Sequence, residues 1–195
     1  MLQANTSPWL PGVPGTAGHC LWLMGLSGAG KSALARSLEQ ALRAAGQQAF
    51  VLDSDALRAG LCQDLDTSPG GRREYLRRLA EVARLMVDAG VLVIVAATSP
   101  LDADRRAARE LFTPGTFTLV HLNTPLSVCA ARDPKGLYQA AREGRAQQLS
   151  GLDGPWQAPE DAELVLDTSH CSLLQATARL AAALRQGVGS SGTLC

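Results

Sequence analysis

Eight consecutive residues carry the clearest chemistry in this chain: Gly25, Leu26, Ser27, Gly28, Ala29, Gly30, Lys31 and Ser32. Gly25, Gly30, Lys31 and Ser32 fit the spacing G-x-x-x-x-G-K-[ST] at every fixed position. Glycines at these points let backbone N–H groups close around phosphate oxygens. The helix that begins there adds the positive end of its dipole. Lys31 is placed to reach the β- and γ-phosphates, and the Ser32 hydroxyl to sit on Mg²⁺. The stretch predicts the phosphate site of an ATP- or GTP-binding protein.

A second group of chemical residues follows in Asp53-Ser54-Asp55-Ala56-Leu57-Arg58. A carboxylate here can orient Mg²⁺ or accept the proton of an attacking hydroxyl. Asp53 also reads as the N-cap of a following helix, a role compatible with the first. A GTPase would need a guanine-reading N-K-x-D, which the sequence lacks. The apolar run 91–98 ends in Thr98-Ser99-Pro100 instead of the acid that ends such a strand in an ATPase motor. This layout suits a small-molecule kinase.

Strands and helices must hold these groups. Short apolar runs at His19–Met24, Ala49–Leu52, Val91–Thr98, Phe117–Leu122 and Glu163–Leu166 read as buried strands. Helical spacing appears at Lys31–Ala45, Arg72–Ala89, Leu101–Phe112 and Ser172–Gln186. Alternation of the two predicts an α/β fold, a three-layer α/β/α sandwich with a parallel sheet, of the P-loop nucleotide-kinase type. The kinase domain is expected over 19–186. A Pro- and Gly-broken arm (1–18) precedes it, and a small, polar tail (187–195) follows, both expected to be flexible.

Composition sets outer limits. The 195 residues are 46% hydrophobic and 18% charged, in the range of a soluble globular domain. Eighteen basic and eighteen acidic residues cancel, so no overall field draws the chain to nucleic acid or an anionic membrane. Anion binding must come from local clusters. The longest strongly apolar run, Val91 to Ala97, is too short to span a bilayer. Five scattered cysteines (Cys20, Cys62, Cys129, Cys171, Cys195) with no C-x-x-C spacing suggest neither zinc nor a disulfide framework, and fit a reducing cytoplasm.

Several ordered motifs carry a family likeness. Trp22 precedes the phosphate loop, and Asp53-Ser54-Asp55-Ala56-Leu57-Arg58 matches a family D-G-D-N-x-R. Gly60-Leu61-Cys62-Gln63-Asp64-Leu65 matches G-L-x-x-D-L, followed by "RRLAEVARLMVDAG", by Ser99-Pro100, and by "TPLSVCAARDPKGLY" from Thr124 to Tyr138. "GLDGPWQAP", Gly151 to Pro159, is similar to G-I-D-x-x-Y-E-x-P. From about Gly18 to about Arg185 the chain resembles the adenylyl-sulfate (APS) kinase family. Its members phosphorylate the ribose 3′-hydroxyl of adenosine 5′-phosphosulfate with MgATP.

That resemblance implies roles. Residues 25–32 and Arg132 would bind ATP, and Lys31, Asp55 and Ser99 would be catalytic. Ser32 and Asp55 would hold the metal. Asp53, Asp55, Arg58, Arg72, Tyr75, Ser99, Pro100, Lys135 and Leu137 would meet the acceptor. Basic residues of the stretch Arg132–Arg145, with Arg142 and Arg145 among them, would form a mobile lid. Arg58, Arg72 and Arg77 form a second cluster of cations. In bacterial members the position of Ser99 is a phosphoserine intermediate, yet direct in-line attack activated by Asp55 needs no covalent step. A homodimer and a place in sulfate assimilation are also implied.

The departures fall on the base-binding side. Where the family has a Gly-Phe-Ser whose ring stacks on the substrate adenine, this chain has Asp66-Thr67-Ser68. Leu149 replaces a second phenylalanine. The family D-R-x-x-N reads Gly71-Arg72-Arg73-Glu74-Tyr75. Ser54 and Ala56 replace the glycine and asparagine of D-G-D-N-x-R. Tyr75 and Trp156 are the candidate replacement rings. Two other readings stay open: a kinase for a different nucleotide conjugate, and a nucleotide-binding regulator without catalysis.

Overall fold

The structure, a computed structural model, describes residues 18–186 and 192–193. The expectations for the arm over 1–17 and for most of the tail therefore lie outside the described residues. The elements run β1 (His19–Gly25), α1 (Lys31–Ala44), β2 (Ala49–Asp53), α2 (Ser54–Ala59), α3 (Pro69–Asp88), β3 (Leu92–Ala96) and α4 (Asp102–Arg109). They continue with β4 (Phe117–Leu122), α5 (Leu126–Arg132), α6 (Leu137–Arg142), β5 (Leu164–Leu166), α7 (Leu173–Gln186) and β6 (Gly192–Thr193).

All strands are parallel, in the order β2-β3-β1-β4-β5-β6. β1 lies between β3 and β4, with Trp22 beside Val95 on one side and Leu119 on the other. It is buried along its whole length. Its side chains alternate between two cores, as a strand covered on both faces requires. Leu21 and Leu23 pack with Leu34 and Leu38 of α1 and Leu180 and Leu184 of α7. Cys20, Trp22 and Met24 pack with Leu76, Leu79 and Ala83 of α3, and with Ala108 and Phe112 at α4 and just beyond it. The predicted three-layer α/β/α architecture is present. The carboxyl end of β1 opens in mid-sheet, where open α/β folds bind their ligands.

The five expected strands are found, some shortened at their ends. β6 is an addition: Gly192 and Thr193 pair with Leu164 and Val165 of β5. Helix α3 starts three residues before the expected Arg72. Ser68 caps it by accepting from the Gly71 N–H, and Pro69 occupies the first turn. α4 ends at Arg109, short of the expected Phe112. α2 is the helix expected after an Asp53 cap, whereas α5 and α6 were not anticipated; at six to seven residues each they are too short to show a hydrophobic period. Among the described residues no helix is long and apolar enough to cross a membrane.

Candidate active site

The phosphate loop leaves β1 at Gly25 and feeds α1. Gly28 and Gly30 stand at φ 80° and 96°, a region L side chains rarely adopt. A Cβ on Gly28 would also lie 2.5 Å from the Cys129 carbonyl oxygen, so glycine is required there twice over.

Every carbonyl from Gly25 to Ala29 accepts a side-chain hydrogen bond. Lys31 Nζ donates to Gly25 O and Leu26 O at 2.8 Å each. The buried Tyr138 hydroxyl donates to Ser27 O at 2.9 Å. Arg132 Nη1 donates to Gly28 O at 3.3 Å, and Thr168 Oγ1 to Ala29 O at 2.9 Å. Holding the carbonyls this way fixes the loop, so that its N–H groups other than that of Ala29, which bonds Leu26 O at 3.1 Å, can serve phosphate oxygens.

Arg132 also donates to Thr168 Oγ1 (2.8 Å) and Thr168 O (2.7 Å), locking α5 to the turn after β5. Burial keeps the Tyr138 phenol protonated, its pKa pushed up to about 12. Tyr138 and Thr168 hold the phosphate loop, a role that motif spacing missed. Tyr138 lies inside a recognised motif, but nothing in its sequence neighbourhood says that it reaches Ser27.

The acids stand at the end of β2. Asp53 is buried and fully used: Oδ1 accepts from the Asp55 N–H at 3.2 Å, and Oδ2 pairs with Arg36 at 3.0 Å. It is thus the N-cap of α2. Asp55, one residue into that helix, is exposed and meets Lys135 Nζ at 2.6 Å from both oxygens. Lys135 sits in the turn between α5 and α6. Burial brings the Lys31 ammonium down to about 8, with Lys135 acting in the same direction and Asp53 and Asp55 against it. The segment 132–138 thus touches both sides: Lys135 meets Asp55, and Tyr138 meets the phosphate loop.

Ser99 lies in the irregular segment after β3 and is 1% exposed. Its Oγ accepts from Trp22 Nε1 at 2.9 Å, and its carbonyl from Arg105 Nη1 at 3.0 Å. Its φ is 48°, an uncommon conformation for serine that these two bonds help hold. The neighbouring Pro100 is buried, and its carbonyl accepts from the Gln157 N–H at 2.9 Å. This joins the Trp156–Gln157 strap to the site.

The remaining nominated residues divide. Arg72 Nε donates to Thr67 O and its Nη1 to Gln148 O, both at 2.8 Å. It joins the two loops that carry Thr67 and Leu149. Tyr75 is 3% exposed, with the Arg58 guanidinium 4.2 Å above its ring centroid. Trp156 is half-buried, 6.1 Å from His121. Leu137 is the half-buried first residue of α6. Arg77 turns away to Glu74 on the outer face of α3, and Arg145 pairs with Glu143.

The sequence model of the family "Adenylylsulphate kinase" matches residues 17–167. The chain belongs to the adenylylsulphate kinase family. Adenylyl-sulfate kinase of Shewanella denitrificans is 54% identical over 153 residues, covering 78% of this chain and 75% of that protein. The same enzyme of Shewanella amazonensis is 51% identical over 166 residues, 85% of this chain and 84% of that one. Among solved structures, the Mycobacterium tuberculosis APS kinase CysC in complex with AMPPNP and APS superposes with a TM-score of 0.82 at 42% identity. That superposition covers 86% of this chain and 98% of that one.

Family membership makes the departures legible as pairs. Ser54 stands at the family glycine and Tyr75 at the family asparagine, and the Tyr75 hydroxyl donates to Ser54 Oγ at 3.0 Å. Asp66 and Gly71 exchange the family's glycine and aspartate. A Cβ on Gly71 would lie 2.3 Å from Asp66 Oδ1, so the aspartate occupies room that glycine leaves. In that room Asp66 Oδ1 accepts from the Ser68 hydroxyl at 2.6 Å, bracing the residue that caps α3.

Proposed function

We propose that this chain transfers the γ-phosphoryl group of ATP to the 3′-hydroxyl of adenosine 5′-phosphosulfate, giving 3′-phosphoadenylyl sulfate for sulfate assimilation. The observation that carries the reading is that one segment reaches both sides of the site: Arg132 and Tyr138 bond the phosphate loop at Gly28 and Ser27, and Lys135 between them pairs with Asp55. Donor phosphates lie on the loop N–H groups and Lys31. Asp55 takes the acceptor proton, and Lys135 neutralises charge on the acceptor side of the transferred group.

The donor set suits Mg²⁺, a hard ion that takes one or two protein oxygens and completes its shell with phosphates and water. The Ser32 hydroxyl and the Asp55 carboxylate would hold it. When bound, it would neutralise charge developing on the phosphates. Asp53 supports this arrangement as the cap of α2, since both its oxygens are engaged. Arg132 acts on the donor side by fixing the loop.

Ser99 acts by position in this scheme. Its hydroxyl is buried against Trp22, and transfer is direct from ATP to the acceptor. Cys20, Cys62 and Cys129 are buried free thiols, which supports a reducing cytoplasmic setting. A homodimer is also proposed, supported by the exposed Phe50 on the edge strand β2. Sedimentation velocity tests that assignment.

The test of function is an ADP-release assay with ATP, Mg²⁺ and a panel of nucleotide conjugates. APS should be turned over with the highest kcat/KM. Turnover confined to another conjugate would replace the acceptor assignment. ATP binding without turnover of any conjugate would favour a regulator.

A further inference from the structure

Helix α2 carries both Asp55 and Arg58, yet none of its six residues is buried. Its orientation must therefore come from specific contacts. Asp53 fixes the start of its axis. Ser54 and Arg58 are spaced i, i+4, so they share one face a turn apart. Tyr75 of α3 touches both ends of that face. Its hydroxyl donates to Ser54 Oγ at 3.0 Å, and its ring lies under the Arg58 guanidinium at 4.2 Å. Tyr75 itself is 3% exposed within the core under α3.

The basic groups around it are differently engaged. Lys135 is paired with Asp55, Arg72 with two backbone carbonyls, and Arg132 with Thr168 and Gly28. Among the described residues the Arg58 guanidinium makes no hydrogen bond or ion pair; its contact is the ring face. A guanidinium lying on an aromatic face keeps its N–H edge for a planar or tetrahedral oxoanion, and the ring limits the orientations it samples.

We propose that Tyr75 is a positioning residue for the acceptor. Its ring lays Arg58 flat so that its N–H edge receives the anionic group of the acceptor nucleotide, while its hydroxyl steadies the start of α2 at Ser54. The proposal rests on the kinase reading above. Because Ser54 and Tyr75 are both departures from the family pattern, this chain has its own way of holding α2.

Steady-state kinetics with APS and ATP varied separately provide the test. Tyr75→Leu should raise KM for APS roughly tenfold, the scale of a desolvated cation–π contact, and leave KM for ATP within threefold. Tyr75→Phe keeps the ring and loses only the bond to Ser54, so it should raise KM for APS less than Tyr75→Leu does. Adding Tyr75→Leu to Arg58→Ala should have little further effect on KM for APS, since the ring acts through Arg58. Arg58→Lys keeps the charge but loses the plane, and should also raise KM for APS about tenfold.

An unchanged KM for APS in Tyr75→Leu, or effects of the two residues that simply multiply, would overturn the proposal. If Tyr75→Leu does not fold, Arg58→Lys decides alone: a wild-type KM for APS overturns it. The stack can also be read without turnover. The Arg58 Nε resonance should be shifted upfield by the ring in wild type and Tyr75→Phe, and not in Tyr75→Leu. An unshifted wild-type resonance overturns the device itself, whereas a shifted resonance without APS turnover overturns only the acceptor assignment.

Discussion

Lys135 and Asp55 close an ion pair between the α5–α6 turn and the first turn of α2, with Nζ 2.6 Å from each carboxylate oxygen. Both side chains are about half exposed, 48% and 61%, so the pair adds little to stability. Its weight is geometric. It ties the basic segment to the helix that carries the proposed base, and closing that segment over bound nucleotides would exclude water.

Asp55→Asn removes the base and keeps the shape. It should lower kcat by about 10²- to 10⁴-fold while equilibrium ATP binding stays within a few-fold. Turnover within threefold of wild type would remove Asp55 from the chemistry. Lys135→Ala should leave the urea midpoint nearly unchanged and raise KM for the acceptor.

Ser99 separates direct from covalent transfer. With direct transfer, Ser99→Ala should retain substantial kcat. It leaves the buried Trp22 N–H without its acceptor, a loss of about 1–3 kcal/mol in stability. Ser99→Gly loses the same bond but relieves the φ of 48°, and should be about 1 kcal/mol more stable than Ser99→Ala by urea titration. A phosphoserine at Ser99 that forms and decays as fast as turnover would overturn direct transfer.

The sequence displays the donor half of this molecule far better than the acceptor half, for physical reasons. Residues 25–32 announce themselves because phosphate binding by backbone demands glycine at fixed positions, and the strands show as apolar runs because both faces of the sheet are covered. The bonds that hold the loop do not announce themselves. Tyr138 is 111 residues from Ser27 and Thr168 is 139 from Ala29, contacts that only the sheet order brings together. Asp53 was legible as a helix cap, but that Asp55 meets Lys135, 80 residues away, was not. The pairing of Ser54 with Tyr75 was invisible because each residue alone reads as the loss of a motif position.

Lys31 should impose a pH limit on the donor. Burial lowers its pKa to about 8, so in the free protein the ammonium is present below that pH and lost above it. Phosphate binding needs the cation, so kcat/KM for ATP should fall as pH rises through about 8. A pH–rate profile at saturating acceptor measures this, and a profile flat beyond that point would refute it. Lys31→Ala should abolish transfer at every pH because the charge bridging the β- and γ-phosphates is gone. Activity retained in a folded Lys31→Ala protein would sink the phosphate-loop mechanism.

The base side is tested at Thr67. Arg72 bonds the backbone carbonyls of Thr67 and Gln148, so a side-chain change at Thr67 leaves that link in place. Thr67 is exposed, which leaves space for a ring, while Leu149 is half-buried against the α1 and α7 core. With stacking rings absent from both positions, KM for APS should be high in the wild type. Stacking on one base is worth about 1–3 kcal/mol. Thr67→Phe with Leu149→Phe should therefore lower that KM roughly tenfold or more. The change in kcat should be small, because stacking binds ground and transition states alike. Thr67→Phe alone should give much of the gain, since it does not disturb the core. If the double variant shows negligible APS activity and also loses its native reaction, the acceptor carries a different group. If the wild type already binds APS tightly, another ring has taken over. Tyr75 lies beneath Arg58, which leaves Trp156, and Trp156→Leu should then raise KM for APS without changing KM for ATP.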